Sequence, residues 1–252
     1  MRLKDKVAIV TGSGAGIGEA IALKYAQEGA KVVVAEINPE RGNSSIQAIR
    51  KEGGEGIFVP TDVSSEDQVK GLMKTTMERY GRIDILVNNA AILITHGDTR
   101  AHELTNEVWD RTINTNLRGY WLCAKYTIPH MIAQGKGTII FVASRTGIRG
   151  FTGLAAYSTS KGGVFALMRS MAADYARDGI HVNAIVPGTM DTPMNAEEFA
   201  QPGARMKYIP RIPAGRLGVG VDLAGMATFL ATEEASFCVG GVYMVDGGAD
   251  LG

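Results

Sequence analysis

The chain has 252 residues, 45% of them apolar and 21% charged, the proportions of a globular protein that buries a core in one large α/β domain or two small ones. Its 26 Lys and Arg balance 26 Asp and Glu, so no charge excess points to nucleic acid or an anionic membrane; a small-molecule partner is expected. Two cysteines, Cys123 and Cys238, stand apart without CxxC spacing or a His cluster, which argues against a disulfide framework and against any metal site.

Met1–Lys6 leads straight into an apolar run with no signal region before it, and no run approaches the roughly 20 apolar residues of a membrane span. A cytoplasmic protein is expected. Seven short Val/Ile-rich runs follow in order: Val7–Val10, Lys31–Glu36, Gly56–Val59, Asp84–Asn88, Gly137–Ala143, His181–Val186 and Val242–Val245. They are apolar throughout rather than alternating, the pattern of strands buried on both faces of a parallel sheet. Helix-length segments separate them, so right-handed β-α-β crossovers are the economical connection.

Between the first run and the first helix lies Thr11-Gly-Ser-Gly-Ala-Gly-Ile-Gly18. Glycines allow a tight turn and close backbone approach to a pyrophosphate, which the N–H groups and dipole of the following helix then attract. Glu36 ends the second strand, where a carboxylate can accept hydrogen bonds from the adenosine ribose and repel a 2′-phosphate. NAD is therefore expected rather than NADP; Arg41 is the one nearby cation that could swing toward a phosphate.

Further along, Ser65 and Gln68 have capping-box spacing, and Thr105 opens a helix running to about Gln134 that Pro129 should kink or stop. Tyr157 and Lys161 fall one helical turn apart on one face. A free phenol has a pKa near 10, and bringing it to neutrality costs about 4 kcal/mol. One ammonium about 4 Å away at an effective dielectric of about 20 supplies about that much. The helix from about Gly153 to Asp178 has no polar face, so a second subunit is expected against it. Residues 193–213 hold four of the eight prolines, directly after a strand's carboxyl end. A substrate lid at about 190–213 is expected there. The predicted fold is α/β: a single domain over residues 1–252, a Rossmann-type doubly wound parallel sheet of about seven strands flanked by helices.

Taken together these motifs resemble the classical short-chain dehydrogenases/reductases from Val7 to Gly248: the glycine turn, Asp62-Val63, Asn88-Asn-Ala-Ala91, Asn116-Leu-Arg-Gly119, Ser144 thirteen residues before Tyr157, Tyr157-xxx-Lys161, Pro187-Gly-Thr-Met-Asp-Thr192 and Asp246-Gly-Gly248. The resemblance implies an enzyme in which Tyr157 exchanges the alcohol proton, Lys161 lowers the phenol pKa and holds the nicotinamide ribose, Ser144 stabilises the substrate oxygen, and Asn116 positions a proton-relaying water. It implies cofactor contacts at Gly12, Ser13, Gly16, Ile17, Gly18, Glu36, Asp62, Val63, Asn88, Asn89, Ala90, Pro187, Gly188, Met190 and Thr192, and a homotetramer. Ala91 and Ala143 stand where the family usually has glycine and serine.

Residues expected to line the substrate pocket are His96, Arg145, Arg149, Phe151, Met194, Phe199, Met206 and Tyr208. The two arginines suggest a polar substrate such as a sugar, polyol or hydroxy acid. The expectation is an NAD(H)-dependent oxidoreductase acting on a secondary alcohol or carbonyl compound. An NADPH-dependent 3-oxoacyl-thioester reductase is an alternative that Glu36 disfavours; a non-catalytic nucleotide-sensing module is another, disfavoured by the intact Tyr and Lys.

Overall fold

The computed structural model describes residues 1–251. The chain runs β1 (Val7–Thr11), α1 (Gly16–Gln27), β2 (Lys31–Glu36), α2 (Pro39–Lys51), β3 (Glu55–Pro60), α3 (Glu66–Tyr80), β4 (Ile85–Asn88) and α4 (Asn106–Ile113). It continues through a π-helical turn (Asn114–Arg118), α5 (Gly119–Gln134), β5 (Gly137–Val142), α6 (Ala155–Tyr175), β6 (Ile180–Pro187), two short helices α7 (Ala196–Phe199) and α8 (Ala204–Tyr208), α9 (Gly220–Leu230) and β7 (Val242–Val245). All seven predicted strands form, with ends within a residue or two of the apolar runs.

They pair in the order β3-β2-β1-β4-β5-β6-β7, every pair parallel. Successive side chains of a strand point to opposite faces, so a continuous apolar run feeds two cores. Ile9, Val33, Leu86, Ile139, Phe141 and Val182 face one layer with Leu72, Leu122, Val164 and Met168. Ala8, Val10, Val34, Val87, Ile140 and Ile185 face the other with Ile21, Tyr25, Ile49 and Leu223. The order reverses between β1 and β4, the switch point at which open α/β sheets leave a crevice beyond the strand ends.

Two helix expectations are corrected. Ser65 does precede α3, but its side chain makes no cap bond; Gln68 Oε1 instead accepts from Asp62 N at 2.8 Å and shapes the turn after β3. Pro129 does not stop its helix, which runs on to Gln134 and ends on left-handed Gly135. Pro129 and Lys125 both face solvent, where water can satisfy the carbonyl that the missing N–H leaves free. Thr105 caps α4 as expected, its hydroxyl accepting from Val108 N at 3.3 Å.

Candidate active site

A cleft of about 510 Å³ crosses the carboxyl ends of β1, β2 and β3. It meets a second cavity of about 250 Å³ beyond β5 and β6, and Ile17, Asn89, Ala91, Thr192 and Met194 line both.

The cleft floor is bare backbone for a steric reason. Gly12 has φ +62°, and a Cβ there would stand 2.8 Å from Ala90 Cα; one on Gly14 would stand 2.7 Å from Glu36 Cγ and Arg41 Cβ. Glu36 folds over this turn: Oε2 accepts from Gly14 N at 3.1 Å and Oε1 from Asn38 N at 3.0 Å. Thr11 Oγ1 accepts from Asn89 N and Ala90 N, and Asn89 Nδ2 donates back to Thr11 O and Gly12 O, so the turns after β1 and β4 are one unit. A glycine cradle at a helix N-terminus beside a ribose-accepting carboxylate fits a dinucleotide.

Of the residues expected to touch it, Gly12, Gly16, Ile17, Glu36, Asp62, Val63, Asn89, Ala90 and Thr192 line the cleft, with Arg41 beside Glu36. Pro187, Gly188 and Met190 line the second cavity. Three do not face either. Ser13 turns inward, donating to Val10 O at 2.6 Å. Gly18 is a packing glycine, whose Cβ would lie 2.3 Å from Gly12 O. Asn88, the last residue of β4, is buried with its Nδ2 donating to Tyr120 O. Sequence spacing could not separate these from their cleft-facing neighbours, because adjacent residues of a turn point in different directions.

The second cavity holds Ser144, Tyr157 and Lys161. Thr146 donates to Ser144 Oγ from both N (3.2 Å) and Oγ1 (3.0 Å), which leaves the serine proton for the Tyr157 phenol, its hydrogen-bond partner. Burial pushes Tyr157 up to about 12 and this bond opposes it. Lys161 Nζ lies 5.8 Å from the Tyr157 ring centroid and donates to Val142 O at 3.0 Å and Tyr120 Oη at 3.2 Å. Burial pulls its ammonium down to about 7. Burial of both groups therefore opposes the expected lowering of the phenol by the Lys161 charge.

Asn116 is buried in the π-helical turn, where Nδ2 donates to Ile92 O (2.9 Å) and Ser160 Oγ (3.2 Å) and Oδ1 accepts from Ile92 N (2.8 Å). Its side-chain amide is thus a clamp on the loop after β4. Asp98, which the sequence reading missed, is buried on the same loop, and its carboxylate accepts from Ala156 N (2.9 Å) and Tyr157 N (2.7 Å). Tyr120 was missed too. Both act through contacts distant in sequence that no local motif marks.

Arg145, Phe151, Met194, Phe199 and Tyr208 line the cavity, joined by Leu93, Leu154 and Glu198. His96, Arg149 and Met206 do not. His96 reaches instead to Glu197 on α7, at 2.8 Å, and Arg149 Nε pairs with Asp250 at 2.8 Å. Arg145 Nη1 donates to Ala249 O and Nη2 to Thr189 Oγ1. Among the described residues no group of His, Cys, Asp and Glu is arranged to hold a metal ion, and no helix is long and apolar enough to cross a membrane.

A family model described as "Enoyl-(Acyl carrier protein) reductase" matches residues 12–250, nearly the whole chain. The chain belongs to the short-chain dehydrogenase/reductase family. It is an oxidoreductase of a family that binds a nicotinamide cofactor. Among its relatives, cis-4-hydroxycyclohexanecarboxylate dehydrogenase of Sinomonas cyclohexanicum is 41% identical over 97% of this chain and 96% of that one. The 3-oxoacyl-(acyl-carrier-protein) reductase FabG of Thermotoga maritima is 39% identical over 98% and 99%. A gluconate 5-dehydrogenase from Burkholderia cenocepacia, solved with NADP and tartrate, superposes with a TM-score of 0.93 at 34% identity, covering 100% of this chain and 97% of that one.

Proposed function

We propose that this protein interconverts a secondary alcohol and a carbonyl compound with NAD(H). The observation that carries the reading is the Ser144–Tyr157 hydroxyl pair on the wall of a cavity continuous with the glycine-floored cleft. Asp62 and Val63 would hold the adenosine end of the cofactor and Pro187, Gly188, Met190 and Thr192 its nicotinamide end, where it would supply hydride transfer. Lys161 holds the nicotinamide ribose and Tyr157 takes the alcohol proton in oxidation or returns it in reduction. Ser144 donates to the substrate oxygen, stabilisation that grows as negative charge develops there.

Glu36 supports NAD, because a carboxylate held by Gly14 N and Asn38 N faces the adenosine end of the cleft. The NADP-bound relative and Arg41 beside Glu36 favour the second reading, NADP, which side-by-side kinetics decides.

For the substrate we infer a body with substantial apolar surface, such as an alicyclic ring. Leu93, Phe151, Leu154, Met194 and Phe199 wall the cavity, while Arg145 is engaged by Ala249 and Thr189. The cyclohexane-ring relative agrees with this; the gluconate relative keeps polyols and hydroxy acids in the panel, and the FabG relative keeps 3-oxoacyl thioesters. Residues 190–213 form the lid, in which Phe199, Ala204 and Ile212 pack with Leu217 just beyond it in a small core apart from the two main ones. A homotetramer is supported by a shallow apolar groove of about 490 Å³ between Leu117, Trp121, Gly163, Ala166 and Leu167, on the face of α6 that its own sheet leaves uncovered.

The test is NADH and NADPH formation with a panel of alicyclic alcohols, polyols and hydroxy acids, and cofactor consumption with ketones and 3-oxoacyl thioesters. Tyr157→Phe should abolish turnover with every active substrate. Turnover that survives this change refutes the mechanism.

A further inference from the structure

Lys161 is 2% exposed, and among the described residues it forms no ion pair. A buried ammonium without a counter-ion persists only where polar groups replace its water. Two such groups contact Nζ. One, Val142 O, belongs to β5, whose register on β4 and β6 fixes it. The other is the hydroxyl of Tyr120, 3.2 Å away.

Tyr120 is wholly buried on α5, two residues after the π-helical turn, with its ring stacked on Phe141 at 5.7 Å. Its hydroxyl also lies 3.1 Å from Val142 O. A carbonyl can only accept, so the single Tyr120 proton goes to Val142 O and the oxygen lone pairs are left for Lys161 N–H. In this arrangement the hydroxyl favours the charged lysine over the neutral one.

Among the described residues no other side chain is hydrogen-bonded or ion-paired to Nζ. On its own helix Lys161 faces Tyr157, a neutral phenol. On α5 the next polar group is Cys123, whose thiol burial keeps protonated. The Arg145 guanidinium, after β5, turns to Ala249 O and Thr189. The Asp98 carboxylate is bound to Ala156 N and Tyr157 N a turn earlier.

We propose that Tyr120 is a positioning residue for the reaction: with Val142 O, its hydroxyl holds Lys161 as an ammonium one helical turn from Tyr157. This rests on the reading of Lys161 as a catalytic residue.

Tyr120→Phe removes one oxygen and keeps the stacked ring. Titration of the Lys161 side chain by NMR, with 13C-labelled lysine assigned by a Lys161→Met variant, should show its midpoint falling by about one pH unit, the scale of one hydrogen bond to a charged group. In turnover, the alkaline limb of kcat should move down with it, and kcat at pH 8 should fall about 10-fold. Tyr25→Phe is the control. It deletes another buried phenol oxygen, bonded to Ala227 O at 2.9 Å on the opposite face of the sheet, and should leave both readouts at wild type.

An unmoved Lys161 midpoint in Tyr120→Phe overturns the proposal whatever the rate does. A moved midpoint with an unchanged kcat profile overturns the positioning role and with it the catalytic reading of Lys161. A midpoint that moves in Tyr120→Phe while the wild-type protein turns over nothing in the panel sinks the functional reading alone, since the Tyr120–Lys161 link is then seen directly.

Discussion

Asp98 Oδ2 accepts a hydrogen bond from Tyr157 N at 2.7 Å, while Oδ1 accepts from Ala156 N at 2.9 Å. The first turn of α6 is thus capped not by its own N-cap, Leu154, which offers no side-chain oxygen, but by a carboxylate 59 residues away. The same loop is gripped by Asn116 at Ile92, and Asn116 reaches Ser160, whose hydroxyl donates to Tyr157 O at 2.7 Å. Two polar clamps therefore hold the backbone that carries the phenol.

Asp98→Ala should lower the melting temperature by about 3–6 °C, as expected for loss of a helix cap in a chain of this size. Its kcat should fall at least about 10-fold, since small displacements of a reacting group are costly, with KM for the cofactor little changed. Thr105→Ala removes the cap of α4, which carries none of the proposed reacting groups, and should cost similar stability with kcat intact. Thermal melts and steady-state kinetics on both variants separate positioning from folding.

Glu36→Ala removes the acceptor for Gly14 N and Asn38 N and the charge that opposes a 2′-phosphate, leaving Arg41 in the same cleft. The ratio of kcat/KM for NAD to that for NADP should fall about 100-fold, about 3 kcal/mol of discrimination. An unchanged ratio would remove Glu36 as the selector.

Lys161→Met should abolish turnover yet raise stability. Burial lowers the folded-state pKa of Lys161 to about 7, whereas an unfolded lysine titrates near 10.4. Between these values the unfolded chain binds more protons, so wild-type stability rises with pH across that window; below about 7 the full penalty applies. The stabilisation should be largest at or below pH 7, at most about 5 kcal/mol, and fade toward pH 10. Denaturant unfolding at pH 6, 8 and 10 measures it.

Arg149→Ala should leave KM for every active substrate within about two-fold, because its guanidinium is committed to Asp250 outside the cavity. A large rise in KM for hydroxy acids alone would restore the polar-substrate expectation.

The seven strands, the parallel sheet and the cofactor turn were legible in the residues themselves. Runs of Val and Ile without alternation occur where both strand faces are covered, and glycines cluster where a Cβ would strike Ala90 or Glu36. Tyr157, Lys161 and Ser144 were legible because helical periodicity and a fixed motif encode their spacing. Tertiary structure decided the rest. Asp98 caps α6, Tyr120 meets Lys161, and Arg149 turns from the cavity to Asp250 through contacts between segments that fold together from distant parts of the chain. Local patterns record which way a strand or helix faces its core. They carry no record of which remote donor or acceptor a buried polar atom will find, nor of the burial that raises the Tyr157 phenol and lowers the Lys161 ammonium.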